Sequence, residues 1–182
     1  QGSNYLSPYG YGVMHRMHHA FADTENDPHS PKYDESIFKM MWKTKTIYSK
    51  IASGQEIPEK RFTDGVPKWE FFDKFARSWP SRLFWGATYV GVYYLFATEI
   101  WLWALLPMQF LFSPIHGAII NWFAHKYGYR NYEVKDTSRN FLPFDFLMMG
   151  ESYHNNHHKY GSRPNFGGIR WHEIDPTYQV IK

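Results

Sequence analysis

Forty-three consecutive residues, Leu83 to His125, contain none of the chain's 20 lysines and arginines. Their only acid is Glu99, which separates two apolar runs, Leu83–Thr98 and Ile100–Phe123. A membrane-spanning helix takes about 20 mostly apolar residues, so the stretch has room for two, joined by a tight turn at Thr98-Glu99. Gly86, Gly91, Gly117 and Pro107 sit more easily in such helices than in soluble ones. Trp79, Trp85, Trp101, Trp103 and Trp122 fall near the expected ends, where interfacial aromatics gather. Basic residues flank both outer ends and are absent from the turn, so both flanks are expected on the cytoplasmic side. A buried hairpin of soluble helices is the competing reading, because the first run is only 16 residues long.

Outside the gap the sequence alternates helices and loops. Residues from about Tyr5 to Phe21 can be helical, and Asp23 to Pro31 is a polar loop broken by prolines. Ser36–Ala52 mixes Ile37, Met40, Met41, Ile47 and Ile51 with four lysines. That pattern suits a helix lying on a membrane surface or one packed on the protein's own core. Ser53–Lys68 reads as a linker and Trp69–Arg77 as a short helix. Asp175-Pro176 is a helix start, with Asp as cap and Pro at the first helical position. Only a few residues follow it, which gives the expectation that the chain is cut short there. The fold class expected is an all-α membrane protein: a transmembrane helical hairpin (80–125) with a helical cytoplasmic cap (1–79 and 126–182), forming one domain.

Composition excludes several chemistries. With no cysteine, the chain has no disulfide, thiolate nucleophile or thiolate metal site. A net charge of +3 of mixed sign gives no reason to expect nucleic acid. What the chain has in excess is histidine. His15, His18 and His19 form H-x-x-H-H, and His154, His157 and His158 repeat it. On a helix, positions i, i+3 and i+4 share a face, so each motif aims three imidazoles into a small volume. Such convergence is costly unless something binds the rings, and neutral imidazole is the commonest metal ligand. His125, where the charge gap ends, is a further candidate. Asn121 lies one turn before it, placed to hold a metal-bound water or to bond a neighbouring helix. His116 falls on the opposite helix face and reads as a packing or substrate-side residue. His29 and His172 read as solvated or capping residues. Seven histidines exceed one zinc site, and imidazole also suits iron and copper.

The stretches His15-Arg-Met-His-His19-Ala-Phe-Ala-Asp-Thr-Glu-Asn-Asp-Pro-His29, Asn121-Trp-Phe-Ala-His125 and Gly150-Glu-Ser-Tyr-His-Asn-Asn-His-His158 resemble the membrane fatty acyl desaturases of the acyl-CoA, delta-9 type, in a bacterial-like version. The resemblance runs over essentially the whole chain. It implies a non-haem di-iron centre held by His15, His18, His19, His125, His154, His157 and His158, with Asn121 acting through water. It also implies that the hairpin is the third and fourth helices of a four-helix fold. The implied reaction uses O2 and two external electrons to place a cis double bond in a saturated acyl chain, most simply acyl-CoA. With no haem segment in the sequence, the electrons are expected from a separate protein, cytochrome b5-like or a ferredoxin with its reductase.

Asp23, Glu25, Asp27 and Glu151 are candidates to orient the ligating rings, turn capping being an equal account of the three in the loop. Gly117 and Ala118 are candidates for the acyl tunnel, Ala118 standing where animal enzymes carry a bulky aromatic. The pattern departs from the family in one respect. The family's first box, H-x-x-x-x-H, does not occur before His15, so the resemblance implies a chain lacking two spans and two ligands and expected to be inactive alone. A histidine-rich membrane hydroxylase (alkane, carotenoid or sterol type) and a non-catalytic metal-binding remnant are the rival expectations.

Overall fold

The computed structural model describes residues 6–182. Among these, regular structure is helical. The helices are α1 (Pro8–Phe21), α2 (Ile37–Ser53), α3 (Lys60–Thr63), α4 (Glu70–Arg77), α5 (Trp79–Phe96), α6 (Leu106–Phe123), α7 (His154–Lys159) and α8 (Pro176–Ile181). A 3-10 turn, Ile100–Leu105, runs directly into α6. Strand pairing is limited to two isolated antiparallel bridges, Tyr129 with Asn140 and Asn140 with Tyr153. The chain divides into two compact units, Gln1–Arg16 with Lys45–Ile115, and Met17–Thr44 with His116–Lys182.

In the first unit, Ser7 caps α1. Its Oγ accepts the Gly10 amide at 3.0 Å and donates to Asp73 Oδ1 at 2.6 Å, tying the start of α1 to α4. Gly10 permits α1 to approach α2 closely, because a Cβ there would lie 2.9 Å from that of Ala52. Ser78 caps α5, accepting the Ser81 amide at 3.3 Å, and Pro80 occupies the first turn. Two ring contacts join α5 to the 3-10 turn and α6, Tyr93 to Trp103 at 6.0 Å and Tyr89 to Phe110 at 5.6 Å. Phe84, Leu95, Leu111, Phe112 and Ile115 are exposed, an apolar surface unlike that of a water-facing helix pair.

One helix among the described residues, Ile100–Phe123 over 24 residues, is long and apolar enough to cross a membrane. It coincides with the second expected span. The first expected span is helical, as Trp79–Phe96, but Ser81, Arg82, Thr88, two glycines and five tyrosine or tryptophan side chains dilute its apolar character. The helix predicted from Tyr5 begins at Pro8, Tyr5 itself lying outside the described residues. The linker contains the one-turn α3, and α8 starts as the sequence predicts, with Asp175 Oδ1 accepting the Tyr178 amide at 3.0 Å. Helix α2 buries Met40, Tyr48 and Ile51 while Phe38 stays 83% exposed, so one of its faces serves the protein's own interior.

The second unit has a polar interior. Asp27, Ser30, Ser138, Asn140, Asp145 and Asn155 are all almost completely buried. Residues 126–153 have no regular element and are held instead by these side chains, since a buried backbone polar group needs a partner. Asp145 accepts three amides, from Met148 at 2.7 Å and from Gly150 and Ser152 at 2.9 Å, which folds the loop that delivers α7.

Candidate metal centre

Both histidine triplets lie on helices, α1 and α7. His125 follows the end of α6 by two residues, in a turn where Ala124 still donates to the Ile120 carbonyl at 3.0 Å. These elements bring His18, His125, His154 and His158 together, each offering a ring nitrogen within 4.8 Å of the others. The contacts are made by Nε2 atoms: His18 to His158 at 3.2 Å and His125 to His154 at 3.1 Å. His19 and His157 meet in the same way at 2.9 Å.

Three rings are held from behind. His18 Nδ1 lies 2.9 Å from Asp27 Oδ1, His158 Nδ1 lies 3.1 Å from Asp136 Oδ2, and His125 Nδ1 lies 3.4 Å from Asp23 Oδ2. A carboxylate can only accept, so Nδ1 carries the proton and Nε2 is left as a lone pair. The Nε2 atoms of His18 and His158 are therefore two acceptors facing each other, an arrangement that a hydrogen bond cannot stabilise and a cation can. The buried Nδ1 of His154 has no hydrogen-bond partner among the described residues.

Electrostatics favour the neutral form of two of these rings, His154 and His158. Burial, then the neighbouring rings of His158, His125, His157 and His18, hold His154 well below the ordinary imidazole value. Burial also lowers His158, against the pull of Asp136. Burial would raise Asp23, but the hydrogen bond and charge of His125 and the two donors of Thr137 outweigh it and leave the carboxyl well below its usual range. Asp136 is held low in the same way by His158 and Ser138. Asp27, with no exposed surface, is pushed up by burial.

Helix α7 has only six residues and cannot stand alone. Asn140 supports its start, its Oδ1 accepting the amides of Asn155 at 3.0 Å and Asn156 at 3.3 Å. Asn155 Oδ1 accepts the amides of Asn131 and Tyr132, both at 2.9 Å. Asn156 Nδ2 donates to Glu173 Oε2 at 3.1 Å and to the Phe166 carbonyl at 2.8 Å. Glu173 also accepts from Tyr129 at 2.7 Å, Asn131 Nδ2 at 2.6 Å and the amides of Ile169 and Arg170 at 3.1 Å. The two asparagines between the histidines thus clamp the helix to the segments on either side of it.

The remaining candidates differ in their settings. His15 is on α1, one turn before His18 and His19, its ring stacked on Tyr11 at 5.8 Å. Asn121 is half-buried in α6 and forms no side-chain hydrogen bond among the described residues. Glu25 and Glu151 are exposed, and among the described residues neither bonds a histidine. A Cβ on Gly117 would meet nothing within 4 Å, and Ala118 is buried. His116 Nε2 lies 3.3 Å from the Met148 carbonyl. His29, read as solvated, is buried instead, with its ring 4.1 Å from that of His18. Asp27 turns the loop inward by accepting the Asp23 and His29 amides at 2.8 and 2.9 Å. Sequence reasoning missed Asp136, Asn140 and Glu173. It passed over Asn155 and Asn156, whose position between ligands on a short helix was a usable signal, since buried amides need partners.

The donor set fits a metal: neutral imidazoles, proton-bearing nitrogens tied outward, lone pairs converging. Nitrogen donors of this kind suit iron, copper or zinc. The family model for fatty acid desaturases matches residues 3–182. Among curated relatives, the chain is 32% identical over 182 residues to the Delta-9 desaturase-like 4 protein of Arabidopsis thaliana, covering 96% of this chain and 56% of that protein. It is 32% identical over 172 residues to the sn-1 stearoyl-lipid 9-desaturase of Synechocystis, covering 93% of this chain and 50% of that protein. It is 28% identical over 176 residues to the Delta-9 acyl-lipid desaturase 2 of Arabidopsis thaliana, covering 96% and 54%. The chain thus spans about half the length of these relatives. No solved structure matches it.

Proposed function

As the chain belongs to the fatty acid desaturase family, we propose that it supplies the metal-binding part of an O2-dependent, non-haem di-iron desaturase acting on a saturated fatty acyl chain. The overall change is loss of two hydrogens from adjacent carbons. O2, two external electrons and two protons complete the balance, giving a cis double bond and two waters. The observation that carries this reading is the convergence of four imidazole nitrogens within 4.8 Å, inside a family defined by desaturation. Bound iron would supply the redox chemistry that an unactivated C–H bond demands and acid–base groups lack.

The protein's own residues do the rest. His18, His125, His154 and His158 would hold one cation, their ring nitrogens lying within 4.8 Å of one another. His19 and His157, whose Nε2 atoms meet at 2.9 Å, would hold a second cation, and the resemblance adds His15 as a further ligand. Asn121, one turn before His125, would bind a water carried by the metal. The α5–α6 pair is read as a transmembrane hairpin with the histidines at its cytoplasmic end, where Gly117 and Ala118 leave room for an acyl chain. Electrons come from a separate carrier protein.

Two carriers for the acyl chain are open to test. Acyl-CoA follows from the motif resemblance. A glycerolipid-borne chain is favoured by the names of the Synechocystis and Arabidopsis relatives, a stearoyl-lipid and an acyl-lipid desaturase. The test is lipid analysis of cells expressing the full-length gene. New monounsaturated chains support the reading, and their appearance in intact glycerolipid before the acyl-CoA pool selects the lipid carrier. Hydroxylated chains without unsaturated ones would overturn it in favour of a hydroxylase.

A further inference from the structure

Behind three of the converging imidazoles stand three carboxylates: Asp27 on His18, Asp23 on His125 and Asp136 on His158. Their side chains are 0, 5 and 13% exposed. Among the described residues, none of the three pairs with a lysine or arginine. Each is fixed in place by other donors. Asp27 takes the Asp23 and His29 amides. Asp23 takes the Thr137 amide at 2.6 Å, the Thr137 hydroxyl at 2.7 Å and the Ser30 hydroxyl at 2.9 Å. Asp136 takes the Ser138 amide at 2.9 Å.

Hydrogen bonds of this kind satisfy oxygens but do not cancel charge. A buried anion with no cation is expensive, and breaking a buried pair is strongly destabilising because it leaves a charge uncompensated. The imidazoles cannot all supply the positive charge, because four of them crowd within 4.8 Å and would repel one another. The mirror problem holds for the metals, since a ligand set made only of neutral rings offers two dications no compensating charge.

The two deficits match. We propose that Asp23, Asp27 and Asp136 are the counter-ions of the metal centre: through the Nδ1–H groups of His125, His18 and His158 they place negative charge one ring behind the cations, and so set how tightly the metal is held and at what potential it is reduced. This rests on reading the histidine cluster as an iron site. The three act as positioning and charge-balancing residues and touch neither metal nor substrate.

The test replaces each carboxylate by its isosteric amide. Asp136→Asn keeps an oxygen to face Nδ1 and removes only the charge; Asp136→Glu keeps the charge. Metal affinity of the purified protein is measured by chelator competition with Fe(II) and Co(II). The midpoint potential of the iron-loaded form is measured by redox titration, and folding by circular dichroism. Each Asn variant is expected to bind metal about 10–100-fold more weakly and to be reduced at a higher potential, with Asp136→Glu recovering most of both. Should Asp27→Asn fail to fold, Asp136→Asn, at the least enclosed of the three positions, decides. Unchanged affinity and potential in Asp136→Asn, beside a wild type that holds iron, overturns the counter-ion assignment alone. A wild type that holds no iron overturns the reading of the site beneath it.

Discussion

Asn140 Oδ1 accepts the amide of Asn155 at 3.0 Å, and the six-residue helix bearing the second of the two histidine triplets starts from that bond. Removing it leaves two amides of α7 without their acceptor. Asn140→Ala is expected to cost about 1–3 kcal/mol and to lower the melting temperature by several degrees. Asn140→Asp should be worse than Ala despite keeping the acceptor. Its carboxylate would face Glu173 Oε1, to which Asn140 Nδ2 now donates at 3.3 Å. Differential scanning measurements on the two variants check the order.

Glu173 gives a pH prediction. Burial alone would raise it, but donation from Tyr129, Asn131 and the Arg170 and Ile169 amides holds it below its usual value of 4.5. A carboxyl depressed in the folded state stabilises above its unfolded pKa, and that contribution is lost as pH falls through the folded one. Wild type should therefore be more stable than Glu173→Gln at pH 7, with the gap closing below about pH 4. Parallel unfolding curves that keep a constant gap down to pH 3 would contradict the assignment.

Metal removal should be reversible and specific. Extraction of the full-length protein with a chelator is expected to abolish desaturation, and Fe(II), but not Zn(II), should restore it, because zinc has no redox chemistry. His157→Ala should lose desaturation yet remain in the membrane fraction. Activity assays beside carbonate extraction separate the two effects.

Backbone geometry makes a fourth prediction. Gly128 has φ +116°, and a Cβ there would overlap the Asn140 carbonyl oxygen. Gly128→Ala forces apart the bridge between Tyr129 and Asn140 and is expected to cost at least about 2 kcal/mol. Loss of folded yield and rapid proteolysis within 126–153 are the readouts.

The helices were legible where periodicity or a cap marks them. The lysine-free run, the two H-x-x-H-H triplets and the Asp175-Pro176 start each announce themselves locally, and the structure has a helix at every one. The polar interior was not legible. Asp136, Asn140 and Glu173 work through partners 15–42 residues away, and a single carboxylate or amide in an irregular segment has no periodic signature. His29 was misread for the same reason: only the turn folded by Asp27 tells that its ring lies against His18. The first apolar run is a helix, but its hydroxyls and glycines leave α6 with its 3-10 prelude as the clear membrane candidate.

That prelude has a geometric consequence. Six residues of 3-10 helix add about 12 Å to the roughly 27 Å of α6, giving a rod of about 39 Å against a hydrocarbon slab of about 30 Å. Placed in a bilayer, such a rod overshoots and must lean or protrude. Because His125 follows the rod's end by two residues, the angle of lean fixes how far that imidazole stands from the lipid headgroups.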